Sequence, residues 1–274
     1  MADMRLQVSR WAIAMVFLSI SAGWTMPVMT GEPPALLQEA SEEATTEERA
    51  PWQPPTPPAA KERTKERQMM IRTQLATPLD SRTPVSDADV LAAMEAVPRH
   101  AFVPEKVQGR AYDDRALPIG HGQTISQPYI VGLMSSLLDV DKDARVLEVG
   151  TGSGYQAAVL AHLTPHVYSI EIVEPLAERA AKTLRAQGYD HVQLRHGDGY
   201  LGWPEAAPFD AIIVTCAPDH LPDPLWEQLK PGGRIVIPVG ERGGIQELVV
   251  IEKTESGERR SRTIIDVRFV PLTR

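Results

Sequence analysis

Residues 146–156, Val-Leu-Glu-Val-Gly-Thr-Gly-Ser-Gly-Tyr-Gln, constrain the fold more than any other stretch. Apolar, strand-favouring residues run into Gly150, Gly152 and Gly154, and an alanine-rich, helix-favouring run follows at 156–163. The pattern predicts a strand, a tight glycine turn and a helix. Glycine admits positive φ and lets a ligand approach the main chain, and the helix beyond offers N–H groups without partners. The spacing is G-x-G-x-G, not the G-x-G-x-x-G of a dinucleotide fingerprint. An acid, Glu148, stands two residues before the first glycine. A carboxylate there repels a phosphate and attracts an ammonium or sulfonium group.

Two further segments extend the pattern. The next predicted strand, 166–171, carries Glu171 near its end, where a carboxylate can accept both ribose hydroxyls of an adenosine. The strand after it, 191–195, runs into His-Gly-Asp-Gly-Tyr at 196–200. That brings Asp198, followed by Gly199, within reach of an adenine amino group. The ordered series resembles the S-adenosylmethionine site of class I methyltransferases. The bland alternative is a glycine turn kept only for strand–helix packing.

The rest of the chain alternates in keeping with that resemblance. Strands are expected at 145–149, 166–171, 191–195 and 210–215, and helices at 156–163 and 174–187. A further helix, 222–229, is closed by Lys-Pro-Gly-Gly at 230–233. Strand 234–239 and two alternating runs, 246–253 and 263–269, complete the series. Alternating β and α units imply a parallel sheet, and the closing pair implies an antiparallel edge. The expected fold is α/β, a Rossmann-like methyltransferase sheet with added N-terminal helices.

Composition narrows the function. A chain of 274 residues with 43% hydrophobic and 23% charged residues suits a globular protein. A net charge of −8 gives no electrostatic footprint for nucleic acid. The single cysteine, Cys216, rules out an intrachain disulfide and a cysteine-based zinc site, and the seven histidines lack metal-ligand spacing.

Three regions are expected. Residues 1–24 have the plan of a secretory signal: Arg5 and Arg10, an apolar run at 11–20, then Ser21, Ala22 and Gly23. The alternative is a start placed upstream of a cytoplasmic enzyme. Residues 25–60 read as a disordered linker, with eight prolines between Pro27 and Pro58 and acids at Glu42, Glu43, Glu47 and Glu48. The folded domain is expected over 61–274. It opens with a helix at 63–75 and a second from Asp87, ended by Pro98. A loop at 112–119 and a glycine loop at 120–128 then lead into a helix opened by Pro128. That loop precedes a helix N-terminus, a place suited to an anion. By residue type alone, a helix cap is the commoner role for Ser126.

Residues from about 64 to 274 resemble the protein-L-isoaspartate (D-aspartate) O-methyltransferase family. The matching segments are Tyr112, Asp113 and Ala-Leu-Pro-Ile at 116–119, then Gly-Gln-Thr-Ile-Ser-Gln-Pro-Tyr at 122–129. They continue with residues 148–155, 197–199, Val-Thr-Cys-Ala-Pro at 214–218 and Phe-Val-Pro-Leu-Thr at 269–273. The family usually has alanine where Cys216 stands. The resemblance implies a substrate carrying an L-isoaspartyl or D-aspartyl residue, with S-adenosylmethionine as methyl donor and no metal. It assigns the active-site role to Ser126, as a hydrogen-bond donor that orients the substrate carboxylate, and lays Thr124, Ile125 and Ser126 along the cofactor. It further implies a monomer that works in the cytoplasm, with export to the periplasm as the alternative. A small-molecule O-methyltransferase and a cofactor-binding relative without turnover are the competing readings.

Overall fold

The strands carry apolar residues on both faces, as a sheet covered by helices on each side requires. In the computed structural model, which describes residues 52–274, seven strands form that sheet in the order β5-β4-β3-β6-β7-β8-β9. They are β3 (Val146–Val149), β4 (Val167–Glu171), β5 (Gln193–His196), β6 (Phe209–Val214), β7 (Leu229–Val239), β8 (Gln246–Lys253) and β9 (Arg259–Val267). The pairs from β5 through β7 are parallel, and β8 and β9 add an antiparallel edge.

Side chains alternate between the two faces. Val146, Ala211 and Ile213 join one apolar cluster, whereas Leu147, Val149, Ile212 and Val214 join the other. The first cluster holds α2 (Ala88–Ala96), α4 (Pro128–Leu138), α5 (Tyr155–Leu160) and α6 (Glu174–Ala186). The second takes Leu225 of α7 (Asp223–Glu227). The chain steps from β3 outward to β4 and β5, then returns to β6 on the other side of β3. Strand order therefore reverses beside β3, where doubly wound sheets leave a crevice at the carboxyl ends of the strands.

Several local details differ from expectation. The first helix, α1 (Thr64–Met70), passes into a π-helical turn, Ile71–Ala76. A short helix, α3 (Glu105–Gln108), follows α2. The region expected as loops at 112–128 contains a hairpin, β1 (Leu117–Gly120) and β2 (Gln123–Ile125). Its two-residue turn, His121 and Gly122, has φ of 53° and 74°. Paired positive φ is the backbone that matches the twist of a hairpin. The Lys-Pro-Gly-Gly segment does not end a helix. It lies within β7, where pairing with β6 jumps from Leu229 to Arg234.

The expected domain boundary at Lys61 falls inside a docked stretch. Residues 58–61 form a 3-10 turn, Pro57 is buried, and the buried Arg67 donates to the carbonyl oxygens of Ala60 and Glu62. The expected signal at 1–24 and most of the expected linker lie outside the described residues.

Candidate functional site

The glycine turn forms the floor of a cleft at the reversal point. Gly150 has φ of 102°, and a Cβ on it would lie 2.5 Å from Thr215 Oγ1. Only glycine fits, because Thr215, just past β6, donates to the carbonyl oxygens of Val149 and Gly150. The cleft is lined by the glycine turn, the ends of β3 and β4, Thr215 and Cys216 after β6, and residues 123–126.

The two acids are placed differently. Glu171 ends β4, and its carboxylate bridges two turns: Oε2 accepts from Gly152 N at 2.7 Å and Oε1 from Val173 N at 2.9 Å. Each oxygen retains a lone pair, and the residue lines the cleft. Glu148, in β3, is 0% exposed. Its Oε2 accepts from Ser169, whose hydroxyl also meets Thr151 Oγ1, while Oε1 has no partner among the described residues. Burial pushes its carboxyl up to about 8; the Ser169 hydrogen bond opposes that shift and the nearby Glu171 charge adds to it. An unpartnered carboxyl oxygen beside a cleft is a seat for a cationic group.

The opposite wall comes from the hairpin. Arg179 of α6 donates to the carbonyl of Ile119, tying the hairpin to the sheet domain. Thr124, Ile125 and Ser126 reach the cleft from this side. The N-cap of α4 is Gln127, and no side chain caps that end. Ser126 therefore does not act as the cap, and its hydroxyl has no protein partner among the described residues. Gln127 is held by Asp114, which also takes a forked ion pair from Arg82, at 2.6 Å for its shorter arm.

Of the residues singled out from sequence, Thr124, Ile125, Ser126, Glu148, Gly150, Gly152, Glu171 and Gly199 line the cleft. Gly154 does not. It lies at the start of α5, where a Cβ would press on Leu184 at 3.2 Å, so it permits helix–helix approach. Asp198 is also outside the lining. Its Oδ1 accepts from Tyr200 N, and its Oδ2 stands 3.6 Å from Arg274 Nε.

Other lining groups went unassigned from sequence. Thr215 could have been found from its place after the strand flanking the reversal point. Thr151, and Ser169 which is not itself a lining residue, carry no local signal, because their link to Glu148 joins two strands. Residues 270–273 also border the cleft. They are held by a bridge from Pro271 to Ala217 and by Leu272 N donating to Ala217 O. Cys216 lines it too, with its thiol against the Val149 carbonyl and pushed up by burial.

No group of three or more acids, histidines or cysteines able to hold a metal occurs among the described residues. The donor set is instead two carboxylates, a glycine turn and hydroxyls. The orphaned Glu148 oxygen and the close-approach glycines fit a ligand with both an ammonium group and a nucleoside.

Comparison with known proteins agrees with this geometry. Residues 70–274 match the family model described as Protein-L-isoaspartate(D-aspartate) O-methyltransferase. A protein-L-isoaspartate O-methyltransferase of Opitutus terrae is 58% identical over 212 residues, covering 77% of this chain and 88% of that one. Protein-L-isoaspartate O-methyltransferase 2 of a Polaromonas species is 57% identical over 197 residues, covering 72% and 93%. A structure from Plasmodium falciparum in complex with S-adenosyl-L-homocysteine aligns with a TM-score of 0.64 at 25% identity, covering 77% and 97%.

Proposed function

The chain belongs to the protein-L-isoaspartate (D-aspartate) O-methyltransferase family, and on that premise we propose how its residues divide the work. The activity is S-adenosylmethionine-dependent methylation of the free carboxylate of L-isoaspartyl and D-aspartyl residues in damaged proteins and peptides. The ester then closes to a succinimide that can reopen to aspartate, which begins repair.

S-adenosylmethionine supplies an electrophilic methyl group. The cofactor is held by the glycine turn, Glu148, Glu171 and the 198–199 segment. The free oxygen of Glu148 takes the ammonium end, and the spare lone pairs of Glu171 take ribose hydroxyls. Asp198, next to the cleft-lining Gly199, would accept from the adenine amino group. Thr124 and Ile125 close the cofactor from the hairpin side.

The substrate carboxylate has an ordinary pKa near 4, so it is already ionised at neutral pH and needs no base. Ser126 donates its hydroxyl to one carboxylate oxygen and fixes the direction of the other. The first-turn N–H groups of α4 favour the negative charge. Rate then comes from alignment and from exclusion of water, the latter aided by the 270–273 strap. The observation that carries this reading is that Ser126, whose hydroxyl has no protein partner among the described residues, lines one cleft with the buried acids.

The catalytic domain includes the docked turn at 57–61 and acts as a monomer in the cytoplasm, where its methyl donor is made. No helix among the described residues is long and apolar enough to cross a membrane. A transfer assay with labelled methyl donor tests the reading. An isoaspartyl peptide should be labelled and its aspartyl twin should not; equal labelling of both would refute the assigned substrate geometry.

A further inference from the structure

Among the described residues Arg99 is the largest side chain that is fully buried, at 0% exposure, and it lies in the 3-10 turn Arg99–Phe102. Burying a cation is expensive unless a carboxylate pairs with it. None does so among the described residues; the titratable groups that act on it are the phenols of Tyr155 and Tyr112, which are neutral at neutral pH. Burial lowers the guanidinium to about 10, so it still carries its charge at neutral pH.

Its contacts are specific. Nε donates to Ala111 O at 2.8 Å, and Nη2 donates to Ser126 O at 2.6 Å. The guanidinium carbon stacks 4.9 Å from the centre of the Tyr155 ring. Nη1 has no partner. Ser126 and Tyr155 both line the cleft, Ser126 from the hairpin wall and Tyr155 as the first residue after the glycine turn. One rigid fork thus spans the two walls. A planar fork can hold two carbonyls and a ring face at once, which an ammonium cannot.

We infer that Arg99 is a positioning residue for methyl transfer: it fixes the Ser126 wall against the glycine-turn wall, and so aligns the substrate carboxylate with the methyl donor. The inference rests on the reading that Ser126 orients that carboxylate. It explains why the cation lacks an acid. A carboxylate partner inside the protein would neutralise the positive potential that the anionic substrate meets beyond Ser126.

The test is a double-mutant cycle with two readouts. Single-turnover rates on an isoaspartyl peptide and affinity for S-adenosylhomocysteine are measured for the native enzyme, Arg99→Lys, Ser126→Ala and the double variant. Hydrogen exchange of the 121–127 amides is followed in parallel. Arg99→Lys should slow transfer by about tenfold or more, because small misplacements are costly in an aligned displacement. Affinity for S-adenosylhomocysteine should change by less than about threefold, and exchange at 121–127 should quicken. In the Ser126→Ala background the same change should slow transfer by less than about threefold, since coupled residues do not add.

A native rate in Arg99→Lys, or two effects that multiply in full, overturns the inference. If Ser126→Ala alone leaves the rate unchanged, the Ser126 reading fails separately. Arg99 is then decided by its own pair of readouts: slowed transfer with quickened exchange supports it, and anything else overturns it. Should Arg99→Lys not fold, the native protein decides. The Arg99 Nε–H resonance should shift when an isoaspartyl peptide joins the S-adenosylhomocysteine complex and stay still with the aspartyl twin; no shift overturns the proposal.

Discussion

The two walls of the cleft are built with opposite charge. The cofactor wall holds two buried acids, Glu148 and Glu171, beneath a glycine turn. The hairpin wall has the buried cation Arg99 behind it and a helix N-terminus beside it. The cofactor wall is local in sequence, with each acid at the end of a strand and next to a turn. The other is assembled from a 3-10 turn, a hairpin and a helix start, joined by hydrogen bonds that span many residues. On the proposed assignment, the difference teaches that a site for a cationic ligand and a site for an anionic one can share one cleft, provided each buries its own counter-charge. It also implies that the walls can be broken separately.

The largest effect on the cofactor wall should come from Glu171→Ala. Gly152 N and Val173 N lose their acceptor along with the ligand hydroxyls. A buried donor left unpaired costs about 1–3 kcal/mol, so affinity for S-adenosylhomocysteine should fall by roughly ten- to hundredfold, as calorimetry would measure. The melting temperature should fall as well. Unchanged affinity in a folded variant would remove Glu171 from the site.

Next in size is a pH effect at Glu148. Its carboxyl is raised to about 8 in the ligand-free fold, from an ordinary 4.5. Between those values the folded protein keeps a proton that the unfolded chain has released. Stability should therefore decline as pH rises through that window, by up to about 1.4 kcal/mol per pH unit, and level off above it. Glu148→Gln should flatten this contribution and weaken cofactor affinity, because an amide attracts an ammonium group less than a carboxylate does. Denaturant titrations at pH 6 and 9 would check the first point; a slope identical in both proteins would deny Glu148 this role.

The smallest effect lies outside the cleft. A chain beginning at Lys61 loses the buried Pro57 and the Ala60 carbonyl that Arg67 holds. It should be less stable than one beginning at Ala50, by about 1–2 kcal/mol, with the same rate per folded molecule. Equal melting curves would mean that the docked turn contributes nothing.

The sheet and the cofactor wall were legible in the sequence because their signals are local and periodic. Seven runs of strand character become seven strands, and Glu148, Gly150, Gly152 and Glu171 meet as their positions implied. The hairpin was missed because its strands have only four and three residues, include Pro118, and flank glycines. The Gly-His-Gly at 120–122 was the available clue to a turn with paired positive φ. Lys-Pro-Gly-Gly misled because the residues that stop a helix also suit an irregularity in a strand. Arg99 left no mark at all. An arginine after a proline reads as surface, and only three-dimensional packing makes it a buried fork. Asp198 shows the limit of reading a position without a rotamer, since its carboxylate is turned to Tyr200 and Arg274.

The separability of the walls is tested most directly by single-turnover methyl transfer in Ser126→Ala at saturating S-adenosylmethionine. The rate on an isoaspartyl peptide should fall by about ten- to hundredfold, since the hydroxyl sets alignment. Affinity for S-adenosylhomocysteine should stay within about threefold of the native value, because the acids proposed to hold the cofactor are untouched. A native rate per folded molecule, or a loss of cofactor affinity that matches the loss of rate, would contradict the account.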